Sequence, residues 1–151
     1  MRPVLFRGKV SDPFCRIDNQ WITGSLVEHF RNQSTTYTIS EPAIEAYGTF
    51  SVPCQVEKAV DPNTIGQFTG VYDYNDNPIY EDDIVLVSSD GELLHEGIVI
   101  FRNGAFWISV PGFDDFPLCS YFEKNQESIV YELSVTGNVH DNPDLVNELM
   151  K

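Results

Sequence analysis

Short runs of β-branched and aromatic residues recur along this chain, and only its C-terminal end carries a helical pattern. Val4 to Val10 is apolar and basic, Trp21-Ile22-Thr23-Gly24-Ser25-Leu26-Val27 is rich in strand formers, and Thr35-Thr36-Tyr37-Thr38-Ile39 mixes β-branched with aromatic side chains. Such stiff side chains suit a pleated surface. Ala43 to Val56 reads as one or two strands, with Pro53 placing its second half at an edge or bend, because proline cannot donate to a ladder. The run Val60-Asp61-Pro62-Asn63-Thr64 is turn punctuation and divides the chain into an N-terminal lobe, 1–60, and a C-terminal lobe, 61–151.

The sharpest local pattern lies in the second lobe. Gly97 to Arg102 and Ala105 to Val110 flank Asn103-Gly104, the pair favoured by a type I′ turn in which both central residues take positive φ. A two-residue loop fixes the register: Arg102 opposite Ala105, Phe101 opposite Phe106, Ile100 opposite Trp107, Val99 opposite Ile108. Val99, Ile108, Phe101 and Phe106 then share one face, and Ile98, Ile100 and Trp107 the other. Apolar residues on both faces predict a hairpin covered on two sides. Asp83 to Ser88 and Leu93 to Glu96 predict a second hairpin. If Asp90-Gly91 is its turn, His95 faces Leu86. Together these strands form a meander over Asp83–Val110. Ser128 to Val139 reads as a further strand, followed by a short helix. Asn142 is placed to cap that helix, Pro143 to open it and Asp144 to meet its positive end, while Leu145, Val146, Leu149 and Met150 give it one apolar face.

Composition narrows the classes. The chain has 151 residues, 42% of them hydrophobic, which suits a folded core rather than disorder or collagen. No apolar run approaches the roughly 18 residues of a membrane span, and Met1-Arg2-Pro3 opens no apolar signal core. Cys15, Cys54 and Cys119 lack a metal spacing, which suggests reduced thiols in a cytoplasm. Residues 1–60 balance six bases against six acids, whereas 61–151 set Arg102, Lys124 and Lys151 against seventeen acids and hold the whole net charge of −14. Phosphate contacts need Lys and Arg, so nucleic acid and anionic membrane are disfavoured partners for the second lobe. In the first lobe, Arg2, Arg7, Lys9, Arg16 and Arg31 could serve only if folding gathered them, and strand alternation is expected to disperse them.

No constellation of catalytic side chains emerges. Glu81-Asp82-Asp83 is the densest acidic cluster, but successive strand residues diverge and the spacing is not that of a calcium loop, so turn residues are expected. Asp114-Asp115 with Glu81 or Asp82 is the alternative carboxylate pair for acid–base or metal-dependent hydrolysis. Asp73, Asn75 and Asp76, followed by Asn77-Pro78, are spaced like a turn. His29, His95 and His140 are scattered, with neither CxxC nor HxxxH in the chain, and no cysteine stands in a nucleophile context. Gly66-Gln67-Phe68-Thr69-Gly70 lacks the Lys and Ser/Thr of a phosphate loop, so Gly66 and Gly70 are read as backbone glycines. The expectation is therefore no catalytic residues, no cofactor and no metal.

The central run Thr64-Ile65-Gly66-Gln67-Phe68-Thr69-Gly70-Val71-Tyr72-Asp73, followed by Asn77-Pro78-Ile79-Tyr80-Glu81-Asp82-Asp83-Ile84-Val85, closely resembles the YopX family of phage and prophage proteins. Phe6-Arg7-Gly8-Lys9, Trp21 to Leu26, and Val135-Thr136-Gly137-Asn138-Val139-His140-Asp141-Asn142-Pro143-Asp144-Leu145 agree in order, so the resemblance spans nearly the whole chain. Two positions depart from it: Asp82 and Asn77 both stand where the family has glycine. The resemblance implies an all-β protein, an N-terminal β lobe followed by a small SH3-like barrel and a short C-terminal helix. It implies no enzymatic activity. The expected function is that of a non-enzymatic, cytoplasmic phage or prophage protein that binds another protein, with self-association left open. The alternatives are a nucleic-acid-binding barrel using Trp107, Phe101 and Phe106, or a metal-dependent hydrolase.

Overall fold

The computed structural model describes residues 4–11, 20–122 and 130–151, with only the backbone of Tyr47. Cys15, Arg2, Arg16, Lys124 and the start of the strand expected from Ser128 lie outside them. In chain order the elements are β1 (Phe6–Lys9), β2 (Trp21–Arg31), β3 (Ser34–Tyr47), β4 (Phe50–Ala59), a 3-10 turn (Pro62–Thr64), β5 (Gly66–Tyr72), β6 (Pro78–Tyr80), β7 (Asp83–Ser89), β8 (Glu92–Arg102), β9 (Ala105–Ser109), β10 (Phe116–Pro117), a second 3-10 turn (Leu118–Tyr121), β11 (Tyr131–Asn138) and α1 (Pro143–Leu149). The protein is all-β apart from that last short helix. It forms two compact units, Met1–Phe68 and Thr69–Lys151.

In the first unit the strands lie in the order β4-β3-β2-β1-β5, all antiparallel where paired. Its core is small: Ile22, Ile39 and Val60, with Phe6, Val10, Leu26, Tyr37 and Ile65 packed around them. The turn punctuation at Val60–Thr64 becomes the 3-10 turn, whose start is capped by Asp61 accepting from the Asn63 backbone N–H at 3.0 Å. Strand β2 changes partner along its length. Its first residues pair with β1 up to Phe6↔Gly24, and the rest pair with β3 from Ser25↔Ser40 to Arg31↔Ser34. Glycine is required at the crossover, since a Cβ on Gly24 would run into the Ser40 carbonyl oxygen.

In the second unit the order is β10-β9-β8-β7-β11, and the meander spans β7 to β9 as the sequence predicts. Asn103 (φ 52) and Gly104 (φ 80) form the tight turn, with Arg102↔Ala105 through Val99↔Ile108 in the anticipated register. The core face carries Val85, Val87, Val99, Ile108 and Leu133, closed by Ile79, Val110, Leu118 and Tyr121. Cover is unequal on the two sides: on the core face Val99 and Ile108 are fully buried although Phe101 at the hairpin end is exposed, and on the other face Ile98, Ile100 and Trp107 are only part-buried. Asp90 and Gly91 form the other turn, yet His95 faces Val87 rather than Leu86, because a bulge follows Ser88↔Leu93 and shifts the register by one. The bulge turns His95 onto the core face.

One further expectation is corrected. Asn142 precedes α1, but its side chain accepts no capping bond from the helix; its Oδ1 accepts from the Asn138 backbone N–H at 3.1 Å instead. Asn77 does not take the left-handed conformation, which falls on Asp76 (φ 62). Asp82, the other departure from glycine, does take it (φ 68), as does Gly70 (φ 89).

Candidate functional site

Four acidic side chains of the second unit, Asp73, Asp82, Asp83 and Asp115, are each engaged separately. Asp73 is buried, and its Oδ1 accepts from the backbone N–H groups of Asn75 and Asn77, both at 2.8 Å. Its Oδ2 accepts from Asn77 Nδ2 at 3.2 Å and from the Val135 backbone N–H at 2.9 Å, which ties the turn to β11. Burial opposes its charge, but these donors outweigh burial and hold the carboxyl below its usual range. Asp83 is buried and accepts from the Tyr80 backbone N–H at 2.8 Å, closing the turn into β7. Asp82 reaches His140 Nε2 at 3.0 Å, and Asp115 pairs with Arg102 at 2.6 Å. The Glu81–Asp83 cluster thus diverges, and the partners of Asp82 and Asp115 differ. Among the described residues no group of three or more His, Cys, Asp or Glu side chains is placed to hold a metal ion.

Each histidine has its own surroundings. His95 stacks on Phe116 at 5.2 Å, and its Nε2 lies 2.7 Å from the Tyr121 hydroxyl. Burial lowers the His95 pKa, and burial, aided by Tyr131, pushes Tyr121 up to about 12. His29 on β2 meets Thr38 and Glu57 across three strands, its Nε2 being 2.9 Å from both Thr38 Oγ1 and Glu57 Oε1. The Thr38 hydroxyl donates to Glu57, and that bond, then His29, lowers the Glu57 pKa. A nucleophilic relay would need the imidazole to bridge hydroxyl and carboxylate through opposite ring nitrogens. Here both contacts fall on Nε2, so the cluster clips strands together. No local pattern announces it, because it exists only once β2, β3 and β4 are in register.

The aromatic and basic groups are also redistributed. Phe106 packs against the core, Trp107 is half-buried beneath the Arg102 guanidinium (5.2 Å), and Phe101 is exposed. Arg7 and Lys9 do not disperse: two residues apart on β1, they share a face and lie 4.8 and 5.6 Å from the Trp21 ring. Cys54 is half-buried, and Cys119 is exposed.

The feature with the character of a contact surface is the far part of the β3–β4 hairpin. Among the described residues β3 has no partner on the β2 side beyond Ser40, while its pairing with β4 continues from Glu41↔Val56 to Tyr47↔Phe50. Strand β4 ends the sheet order. A two-stranded ribbon therefore runs from Glu41 to Val56. Its prolines are placed by register. Counting from the turns at Asn32-Gln33 and Gly48-Thr49, the Pro42 nitrogen faces the β2 side and the Pro53 nitrogen faces the outer edge. Neither removes a bond of the β3–β4 ladder, and each removes a donor from an open edge. One ribbon face carries Glu41, Ala43, Glu45, Phe50, Val52, Cys54 and Val56, with Phe50 74% and Val52 48% exposed. The other carries Pro42, Ile44, Ala46, Ser51, Pro53 and Gln55, all exposed.

Comparison with known proteins gives the ancestry of this arrangement. A search of curated proteins found no match. Among solved structures, the fold is similar to the crystal structure of protein EF1440 from Enterococcus faecalis, with a TM-score of 0.56 and 17% identity over 97% of this chain and 99% of that one. At that identity the likeness speaks for the fold alone. The YopX protein family matches residues 13–147, most of the chain, including the central glycine-containing run and the C-terminal Gly137-Asn138 segment. The chain belongs to the YopX family.

Proposed function

We propose that this is a phage- or prophage-encoded, non-enzymatic protein that works in the bacterial cytoplasm by binding another protein. The carrying observation is the exposed tip of the β3–β4 ribbon, where Phe50 and Val52 stand in solvent on a two-stranded element. Large apolar side chains grouped on a projecting element cost solubility and mark contact surfaces. A two-stranded ribbon is also marginal without cover. Glu41 and Glu45 on the same face favour a partner with an apolar centre and a basic rim. The five-stranded antiparallel sheet β10-β9-β8-β7-β11 supports reading the second lobe as a small SH3-like barrel, whose acidic surface favours solubility.

The test is affinity capture from bacterial lysate with the full chain and with a Phe50→Glu/Val52→Glu double variant of unchanged circular dichroism. Retention of a protein by the parent chain and its loss with the variant supports the reading. Equal capture by both, or none by either, overturns it.

A further inference from the structure

The opposite face of the same ribbon differs in kind. Pro42, Ile44 and Ala46 of β3 lie against Gln55, Pro53 and Ser51 of β4, and all six are exposed, Ile44 at 73%. None of the six carries a charge, and the next β4 residue on that face, Glu57, is engaged by the Thr38 hydroxyl and His29. We infer that this face is a self-association surface, packing against the same face of a second copy of the chain.

Three observations select that occupant. A face without cations has nothing to offer phosphate groups or anionic lipid, and one without carboxylates offers nothing to a basic partner. Its complement is another uncharged apolar face, and the chain itself supplies one. A two-fold pairing of identical patches is self-complementary. Second, Pro42 and Pro53 deprive both open edges of a donor, so strand addition at the ribbon edge is obstructed and face-to-face contact is the geometry left. Third, residues 1–60 balance six bases against six acids, so apposing two copies there brings no net charge together. Contact through residues 61–151 would oppose the entire −14 of each copy.

The patch is small. Pro42 to Ala46 spans about 13 Å along two strands, well short of the ~800 Å² per partner of a stable dimer. The expected state is a weak dimer that forms only as concentration rises. This inference shares the ribbon with the proposed partner site but uses its other face, so the two can fail separately.

Sedimentation velocity of the full chain over a wide concentration range, at physiological salt, tests it. The parent chain should show a rising weight-average sedimentation coefficient. Ile44→Glu should abolish the rise, Ala46→Glu should do the same at a smaller and better tolerated site, and Val52→Glu on the opposite face should leave it intact. Circular dichroism confirms that each variant is folded. A parent chain that stays monomeric throughout, or a Val52→Glu variant that loses self-association as fully as Ile44→Glu, overturns the inference. Loss of lysate capture in Phe50→Glu/Val52→Glu with self-association retained separates the two faces.

Discussion

The Asp73 carboxylate offers the most direct test of how the second unit is held together. Both its oxygens accept hydrogen bonds: Oδ1 from the Asn75 and Asn77 backbone N–H groups, Oδ2 from Asn77 Nδ2 and the Val135 backbone N–H. An Asp73→Asn substitution keeps the shape but supplies a single oxygen. In either amide orientation an NH₂ group then points at a donor. One orientation strands the Val135 N–H, the other those of Asn75 and Asn77. A buried donor left without an acceptor costs about 1–3 kcal/mol, and hydrogen bonds to an ionised acceptor lie at the upper end. The expected loss for Asp73→Asn is about 2–4 kcal/mol, and Asp73→Ala, which orphans every donor, should exceed it.

Urea unfolding followed by tryptophan fluorescence and circular dichroism reads this loss, and the change should fall on the transition that reports residues 69–151. Acid supplies an independent check. The folded pKa of Asp73 is depressed, so its contribution is present above the unfolded carboxyl pKa of about 3.9 and is lost as pH falls through the lower folded value. Asp73→Asn has no carboxyl to titrate there, so the gap between parent and variant should narrow as pH falls into that range. A variant within about 0.5 kcal/mol of the parent at neutral pH would refute the reasoning, since that is the range of an indifferent surface change.

Other expectations follow from local geometry. Gly104→Val should destabilise by about 1 kcal/mol or more in thermal or urea unfolding: a Cβ meets nothing within 4 Å, so the cost comes from its φ of 80 alone. Gln33, exposed at φ 63 beside Asn32 at φ 50, occupies the glycine position of a type I′ turn, so Gln33→Gly should stabilise by about 1 kcal/mol on the same assay. Because burial depresses the His95 pKa, the stability it contributes is present above the unfolded value of about 6.5 and is lost as pH falls through the lower folded value. His95→Phe should flatten the melting temperature over that mildly acidic window. Titration of labelled single- and double-stranded oligonucleotides at physiological salt should be flat, and binding that weakens steeply with added salt would contradict it.

What could be read in the sequence was whatever neighbouring residues decide among themselves. Asn103-Gly104 announces a hairpin because both residues favour positive φ, and a two-residue loop leaves one register. The next hairpin escaped that logic by one residue. Asp90-Gly91 makes the turn, but nothing in Leu93-Leu94-His95 signals a bulge, which is set by the need to bury Val87 and place His95 beside Tyr121. Asp82 was visible as a departure from glycine, yet its left-handed backbone is supported by partners far along the chain: it donates to the Val99 carbonyl, accepts from the Val139 N–H and reaches His140. The ribbon lies further still from local rules. Pro53 marks an edge in any reading, but Pro42 acquires meaning only because β2 leaves β3 at Gly24, and that depends on β1. Alternation along β3 and β4 sorts residues 41–56 into two faces, one with Glu41 and Glu45 and one without charge. It cannot say that β2 stops short and leaves both faces in solvent. The surface proposed for contact is defined by what the neighbouring strands fail to cover, so it became legible only through the pairing.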